Sequence, residues 1–188
     1  MRLWDAFYPD VLPFIDQMTA PRPVVNAYLL RAAQQFCRDT RAWHVALEPV
    51  QTKDLVTEYD LELPPASELV RIESATMNAV PLAVWRQDAT GSGQYVYTPD
   101  GKRLLLKQAP GEGAQISIQA SLAPANDATG VEDFLFDRYA EVIAQGAVSR
   151  ANGDVAGQQA FIERCIDVRA DAWRGFAATT PRARASWM

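Results

Sequence analysis

The chain has 188 residues, 48% of them hydrophobic and 22% charged, with a formal net charge of −5. That composition suits one ordinary domain with a real core, and it excludes a disordered or collagen-like chain. The acidic balance argues against a protein that grips nucleic acid over a broad face, because such binding rests on Lys and Arg neutralising phosphates. It leaves room for a protein that DNA slides past.

No stretch approaches the roughly 18 apolar residues of a membrane-spanning helix, so no membrane role is expected. The opening MRLWDAFYPD lacks the apolar run of a signal peptide. Two cysteines, Cys37 and Cys165, are too few for a disulfide framework. Both sit in apolar helical patterns and read as buried free thiols of a protein made in a reducing cytoplasm.

Three blocks follow in chain order. Leu3 to Ile15 is aromatic-rich and broken by Pro9 and Pro13, which predicts short helical turns. Pro21 and Pro23 then open a helix over 22–40, because proline suits the first turn. Its apolar face is Val24, Val25, Tyr28, Leu29, Ala32, Ala33, Phe36 and Cys37.

From Trp43 to about Leu122 the period changes to two. Val45 and Leu47 alternate with Ala46 and Glu48; Tyr59, Leu61 and Leu63 alternate with Glu58, Asp60 and Glu62. LVRIESATM and AQISIQASL alternate in the same way. These are half-buried strands. Turn signals separate them at Pro64-Pro65, Asn78-Ala79, Gly91-Ser92-Gly93, Pro99-Asp100-Gly101 and Pro110-Gly111-Glu112-Gly113. Six or seven short strands so spaced predict an antiparallel sandwich or open barrel.

The last block is helical. Val131, Phe134, Leu135, Tyr139, Val142, Ile143 and Gly146 line a helix that Asn152-Gly153-Asp154 stops. A second helix is expected from about Gly157, carrying Phe161, Ile162, Cys165, Ile166, Val168 and Trp173. The expected fold is α+β: a helical bundle built from the N- and C-terminal helices with a central antiparallel β-sandwich or open barrel. Within one domain, residues 1–42 are N-terminal helices, 43–124 the β-rich part, 130–178 C-terminal helices and 179–188 an extended tail.

The residues offer little chemistry. His44, the only histidine, stands at the helix-to-strand change and reads as structural. Cys37, His44 and Cys165 lack metal-ligand spacing. A Ser-His-Asp arrangement would have to use His44, and no Ser sits in a G-x-S-x-G elbow. The GSG at 91–93 and GEG at 111–113 are turns, since a phosphate cradle needs a helix after it. Glu132 and Asp133 could pair as acid and base, but they fall in the first turn of a helix, where negative charge suits the macrodipole. No catalytic residue, metal or cofactor is expected. Glu58, Asp60 and Glu62 read as a solvated acidic face or one facing an aqueous lumen. The terminal RARASWM, with Arg182, Arg184, Trp187 and Met188, is the strongest interface candidate, because Arg and Trp are enriched at contact hot spots.

The chain then resembles a known family. FYPDVLPFI is followed by a helix ending AAQQFCRDTRAWHV, an acidic strand ending LELPP, then LVRIESATMN and finally FLFDRYAEVIAQGAVSRA. This layout, with the FC-x-x-T-x-x-W segment at Phe36 to Trp43, resembles the head-to-tail adaptors of tailed bacteriophages, also called neck, head completion or tail tubular proteins. The resemblance implies a homo-oligomeric ring of about twelve subunits in the virion neck. The ring would dock on the portal protein, receive a downstream tail or nozzle protein and extend the channel through which double-stranded DNA passes. It implies that Arg182, Arg184, Trp187 and Met188 meet the portal; Glu58, Asp60 and Glu62 are candidates for the channel wall. It carries no catalytic motif.

Three other readings stand beside it. A β-sandwich ligand- or carbohydrate-binding module predicts exposed aromatics such as Trp85, Tyr95 and Tyr97. A small hydrolase predicts a cleft with a carboxylic acid of raised pKa. Another phage tail or baseplate component shares the same architecture.

Overall fold

Pro21 and Pro23 set the start of the first long helix. The Pro21 carbonyl accepts the amides of Val24 (2.8 Å) and Val25 (3.1 Å), closing the first turn. This is α2 in a computed structural model that describes residues 1–15, 20–85 and 94–179. It runs Arg22–Thr40. At its far end the Thr40 hydroxyl donates to the Phe36 carbonyl (2.7 Å) and accepts the Ala42 amide (3.1 Å). Arg41 turns left-handed at φ 55° while its amide still reaches Cys37. Val25, Leu29, Ala32, Ala33, Phe36 and Cys37 are buried; Val24 is exposed.

Before it, β1 (Arg2–Leu3), α1 (Tyr8–Val11) and two 3-10 turns (Trp4–Phe7 and Leu12–Phe14) form the short segments that the two prolines dictate. Trp4 is buried and its indole N–H donates to the Ala128 carbonyl at 2.9 Å, which ties the opening segment to a loop more than a hundred residues away. β1 pairs with β10 (Gly130–Val131). Val131 therefore lies on a strand, not on the helix that its spacing suggested.

The remaining strands are β2 (His44–Ala46), β3 (Val50–Gln51), β4 (Glu58–Asp60), β5 (Ser67–Met77), β6 (Val80–Val84), β7 (Tyr95–Tyr97), β8 (Arg103–Leu106) and β9 (Gln115–Pro124). Their order across the sheet is β2-β9-β5-β6-β7-β8-β4, with β3 also on β9. The sheet is continuous and curls into an open half-barrel, so of the two expected forms the open barrel is the one found. One pair, β6 with β7, is parallel. A tight hairpin cannot join parallel strands, so the two are not hairpin partners. By contrast β5 and β6 meet through Asn78 and Ala79, at φ 49° and 64°, as a two-residue hairpin needs.

β5 and β9 form the spine. Along β9, Ile116, Ile118 and Ala120 are buried while Gln115, Ser117 and Gln119 face out, as the alternation requires. β5 breaks its alternation. Its register against β9 shifts between Leu69 and Arg71 and again between Ile72 and Ser74. Each shift adds a residue on one strand and re-aims the side chains around it.

α3 (Asp133–Ala151) and α4 (Val155–Thr179) close the molecule. α4 starts two residues before Gly157. α2 packs on α3, α4 and β9, so helices from both ends of the sequence share one bundle. One apolar core runs through bundle and half-barrel, from Phe7, Leu29 and Phe36 to Leu104, Ile118 and Ile143. Phe161 and Cys165 on α4 join it, whereas Ile162 and Ile166, expected on the same apolar face, stay exposed.

Candidate functional site

The acidic strand is where the alternation placed it. Glu58, Asp60 and Glu62 are exposed, Leu61 is buried, and Tyr59 and Leu63 are half-buried. The pairing of β4 with β8 sets Arg103 opposite Asp60. The Arg103 guanidinium reaches Glu58 (2.5 Å) and Asp100 (2.7 Å). Asp100 also accepts the amides of Lys102 and Arg103, both at 2.9 Å. These bonds, the Lys102 amide foremost, hold its carboxyl at about 2. The face is therefore acidic but braced by a cation, which the period-two pattern of one strand could not reveal.

The portal-facing candidates Arg182, Arg184, Trp187 and Met188 lie outside the described residues, as does the Gly91-Ser92-Gly93 turn.

The structure also gathers a cluster that sequence reading missed. Glu73 on β5 is buried to 8% side-chain exposure. It accepts a hydrogen bond from the Ser121 hydroxyl on β9 at 2.7 Å. Arg41, just past α2, lies 3.5 Å away, and Arg71 3.8 Å. His44 Nδ1 stands 3.4 Å from the same Ser121 oxygen. The bulge between Ile72 and Ser74 is what carries Glu73 into this position. The strand itself, which also carries Glu68 and Arg71, gives no clue to it; the helix end with Arg38 and Arg41 is the one signal in the sequence.

Serine, histidine and glutamate together suggest nucleophilic chemistry, and the geometry does not support it here. Ser121 is fully buried, and its proton goes to Glu73, not to the imidazole. The group joins the C-terminal end of α2 to the spine of the sheet.

His44 makes this junction sensitive to acid. Burial pushes its imidazole below the ordinary 6.5, against the pull of the Glu73 carboxylate and with a push from Arg41. The folded chain thus takes up this proton less readily than the unfolded chain. The stability so contributed is full above about pH 6.5 and is lost as pH falls through the lower folded-state value. Urea midpoints of the wild type are expected to fall from about pH 7.5 to about pH 5 more than those of His44→Gln. Parallel curves for the two proteins would contradict this.

The two thiols are inert by placement. Cys37 and Cys165 are buried and unpaired with each other. Burial pushes both up, Cys165 to about 12.

On the sheet surface Trp85, Tyr95 and Tyr97 come together. Ring centroids are 6.3 Å (Trp85–Tyr95), 5.8 Å (Trp85–Tyr97) and 6.2 Å (Tyr95–Tyr97) apart. The Lys107 ammonium stands 5.3 Å from the Tyr95 ring. Val70, Ile72, Val84, Trp85 and Tyr97 line a shallow hollow of about 230 Å³ here. A larger open hollow of about 690 Å³ lies between Arg38, Glu68, Lys102 and Asp127. Among the described residues no group of three or more His, Cys, Asp or Glu side chains is placed to hold a metal ion, and no helix is long and apolar enough to cross a membrane.

The fold and these surfaces define an α+β protein with a terminal-helix bundle on an open half-barrel. No protein-family model matches the chain, and a search of the curated proteins finds no significant relative.

Proposed function

We propose that this chain is a structural subunit of a tailed-bacteriophage neck, one of about twelve in a ring that joins the portal to the tail. The observation that carries the reading is the joint bundle. α2 from the first part of the chain and α3 and α4 from the last pack on one another, and α2 also rests on β9 of the half-barrel. The adaptor resemblance implies a ring in which such bundles contact neighbouring subunits, and a joint bundle suits that. In this reading the bundle meets neighbouring subunits, residues 180–188 dock on the portal protein, and the opposite end of the ring receives a downstream tail or nozzle protein. The subunit has no catalytic task.

Charge supports passage of DNA. A ring of twelve such chains carries a summed formal charge of about −60 at −5 each. A lumen of that sign repels phosphates and lets the duplex slide without sticking. Glu58, Asp60 and Glu62 are the proposed wall, with Arg103 pairing to Glu58 across β4 and β8.

One observation favours a second reading, a carbohydrate-binding module: the three rings of Trp85, Tyr95 and Tyr97 on one face. Aromatic faces stack on sugars and on other apolar partners alike.

The test of the docking role is removal of residues 180–188. The shortened chain is expected to keep its helical signal and melting temperature while binding to portal rings weakens at least about tenfold, the scale of one lost hot spot. Equal portal binding by both forms would overturn the docking role of the tail.

A further inference from the structure

Three exposed apolar side chains stand on one face of α4: Val155, Ile162 and Ile166, at 78%, 38% and 61% exposure. At about 100° per residue they fall within about 40° of one another. The cation on the same face, Arg169, is exposed and has no ion-pair partner among the described residues. Scattered apolar residues on a surface need no explanation, but a row on one helix face marks a contact.

Elsewhere the chain carries a groove of matching character. It has a volume of about 550 Å³ and runs between the α1 segment and the helices α3 and α4. Pro9, Phe14 and Val148 make its apolar wall, and Phe14 is 65% exposed. Asp10, Glu141 and Asp154 form its rim, all exposed and without an ion-pair partner among the described residues. Gly157, which lines the groove, points about 160° around α4 from the apolar row. The two surfaces thus look in different directions, and one molecule cannot satisfy its own groove.

We infer that the Val155–Ile162–Ile166 face of α4 docks into the acid-rimmed Pro9–Phe14–Val148 groove of a second copy of this chain, with Arg169 meeting the carboxylates of the rim. Apolar row faces apolar wall, and the one cation faces three acids. Because the two patches differ, the contact is head-to-tail. A contact of that kind repeats until it closes into a ring or runs on as a filament. The inference rests on the ring reading and supplies the surfaces that would build the ring.

The test uses two full-length variants, Ile166→Asp, which spoils the face, and Phe14→Asp, which spoils the groove. Both positions are exposed, so folding is expected to be kept, as circular dichroism would check. Masses are then measured up to millimolar concentration. Wild type is expected to form oligomers larger than dimers, and each variant alone to be monomeric. An equimolar mixture is expected to stop at a one-to-one dimer, since one good face and one good groove remain. Face-to-face pairing would instead leave Phe14→Asp self-associating, and that result overturns the inference. So does a wild-type chain that stays monomeric throughout. Self-association through these surfaces by a chain that ignores portal rings would leave the contact standing and remove the neck reading. Portal-bound rings that both variants still build would remove the contact alone.

Discussion

Replacing Phe161 with alanine is expected to cost about 3–5 kcal/mol of folding stability, the range for emptying a buried aromatic site. Phe161 is 1% exposed and, among the described residues, is the largest side chain that α4 sends into the core. Its ring lies on the bare backbone of Gly146 in α3, so near that a methyl group there would stand 2.7 Å from the ring edge. The two helices depend on this contact, since a flat ring fills a gap that only glycine leaves open. Gly146→Ala is expected to cost about 1–3 kcal/mol by overpacking. The double variant is expected to cost less than the two separate losses combined, because the new methyl occupies part of the space that the ring vacates. Urea unfolding followed by circular dichroism measures all three. A Phe161→Ala loss below about 1 kcal/mol would mean that α4 does not dock on α3 through this ring.

Removing the Glu73 carboxylate is the second large effect. Glu73→Ala is expected to destabilise by about 2–4 kcal/mol, toward the lower part of the range for breaking a buried ion pair because Arg71 still reaches water. The Arg41 guanidinium, 14% exposed, is left without the carboxylate 3.5 Å away, and the buried Ser121 hydroxyl loses its acceptor at 2.7 Å. Glu73→Gln keeps an acceptor for Ser121 and is expected to cost less than Glu73→Ala. Ser121→Ala, which leaves the ion pair in place, is expected to cost about 1 kcal/mol. If Glu73→Ala and Ser121→Ala prove equal, the arginines gain nothing from the carboxylate and the cluster is held by the hydroxyl alone.

The parts of the fold that the sequence makes plain are those that local chemistry decides. Pro21, Pro23 and the Thr40 cap bound α2 at Arg22 and Thr40. Asn152 and Gly153 end α3, and the alternation of Ile116 and Ile118 with polar neighbours marks β9. Layout followed from these, since helices at both ends of a strand-rich middle can only share a core by packing together.

What stayed hidden depends on distant partners. The bulges in β5 arise from its pairing with β9, so the burial of Glu73 was illegible in its own strand. Val131 joins β10 because Gly130 lets β1 approach; a side-chain carbon there would stand 1.9 Å from the Arg2 carbonyl oxygen. Ile162 and Ile166 share the spacing of a core face, yet among the described residues α4 buries Phe161 and Cys165 and half-buries Val168, leaving the two isoleucines outside. That mismatch between pattern and burial is the origin of the proposed contact between copies. The bracing of Glu58 by Arg103 likewise needs two strands.

The neck reading meets its most direct test in the mass of the purified protein mixed with portal rings from the same source. The account predicts a complex with about one copy of this chain per portal subunit. A persistent free chain, with no shift of the portal peak, would contradict it.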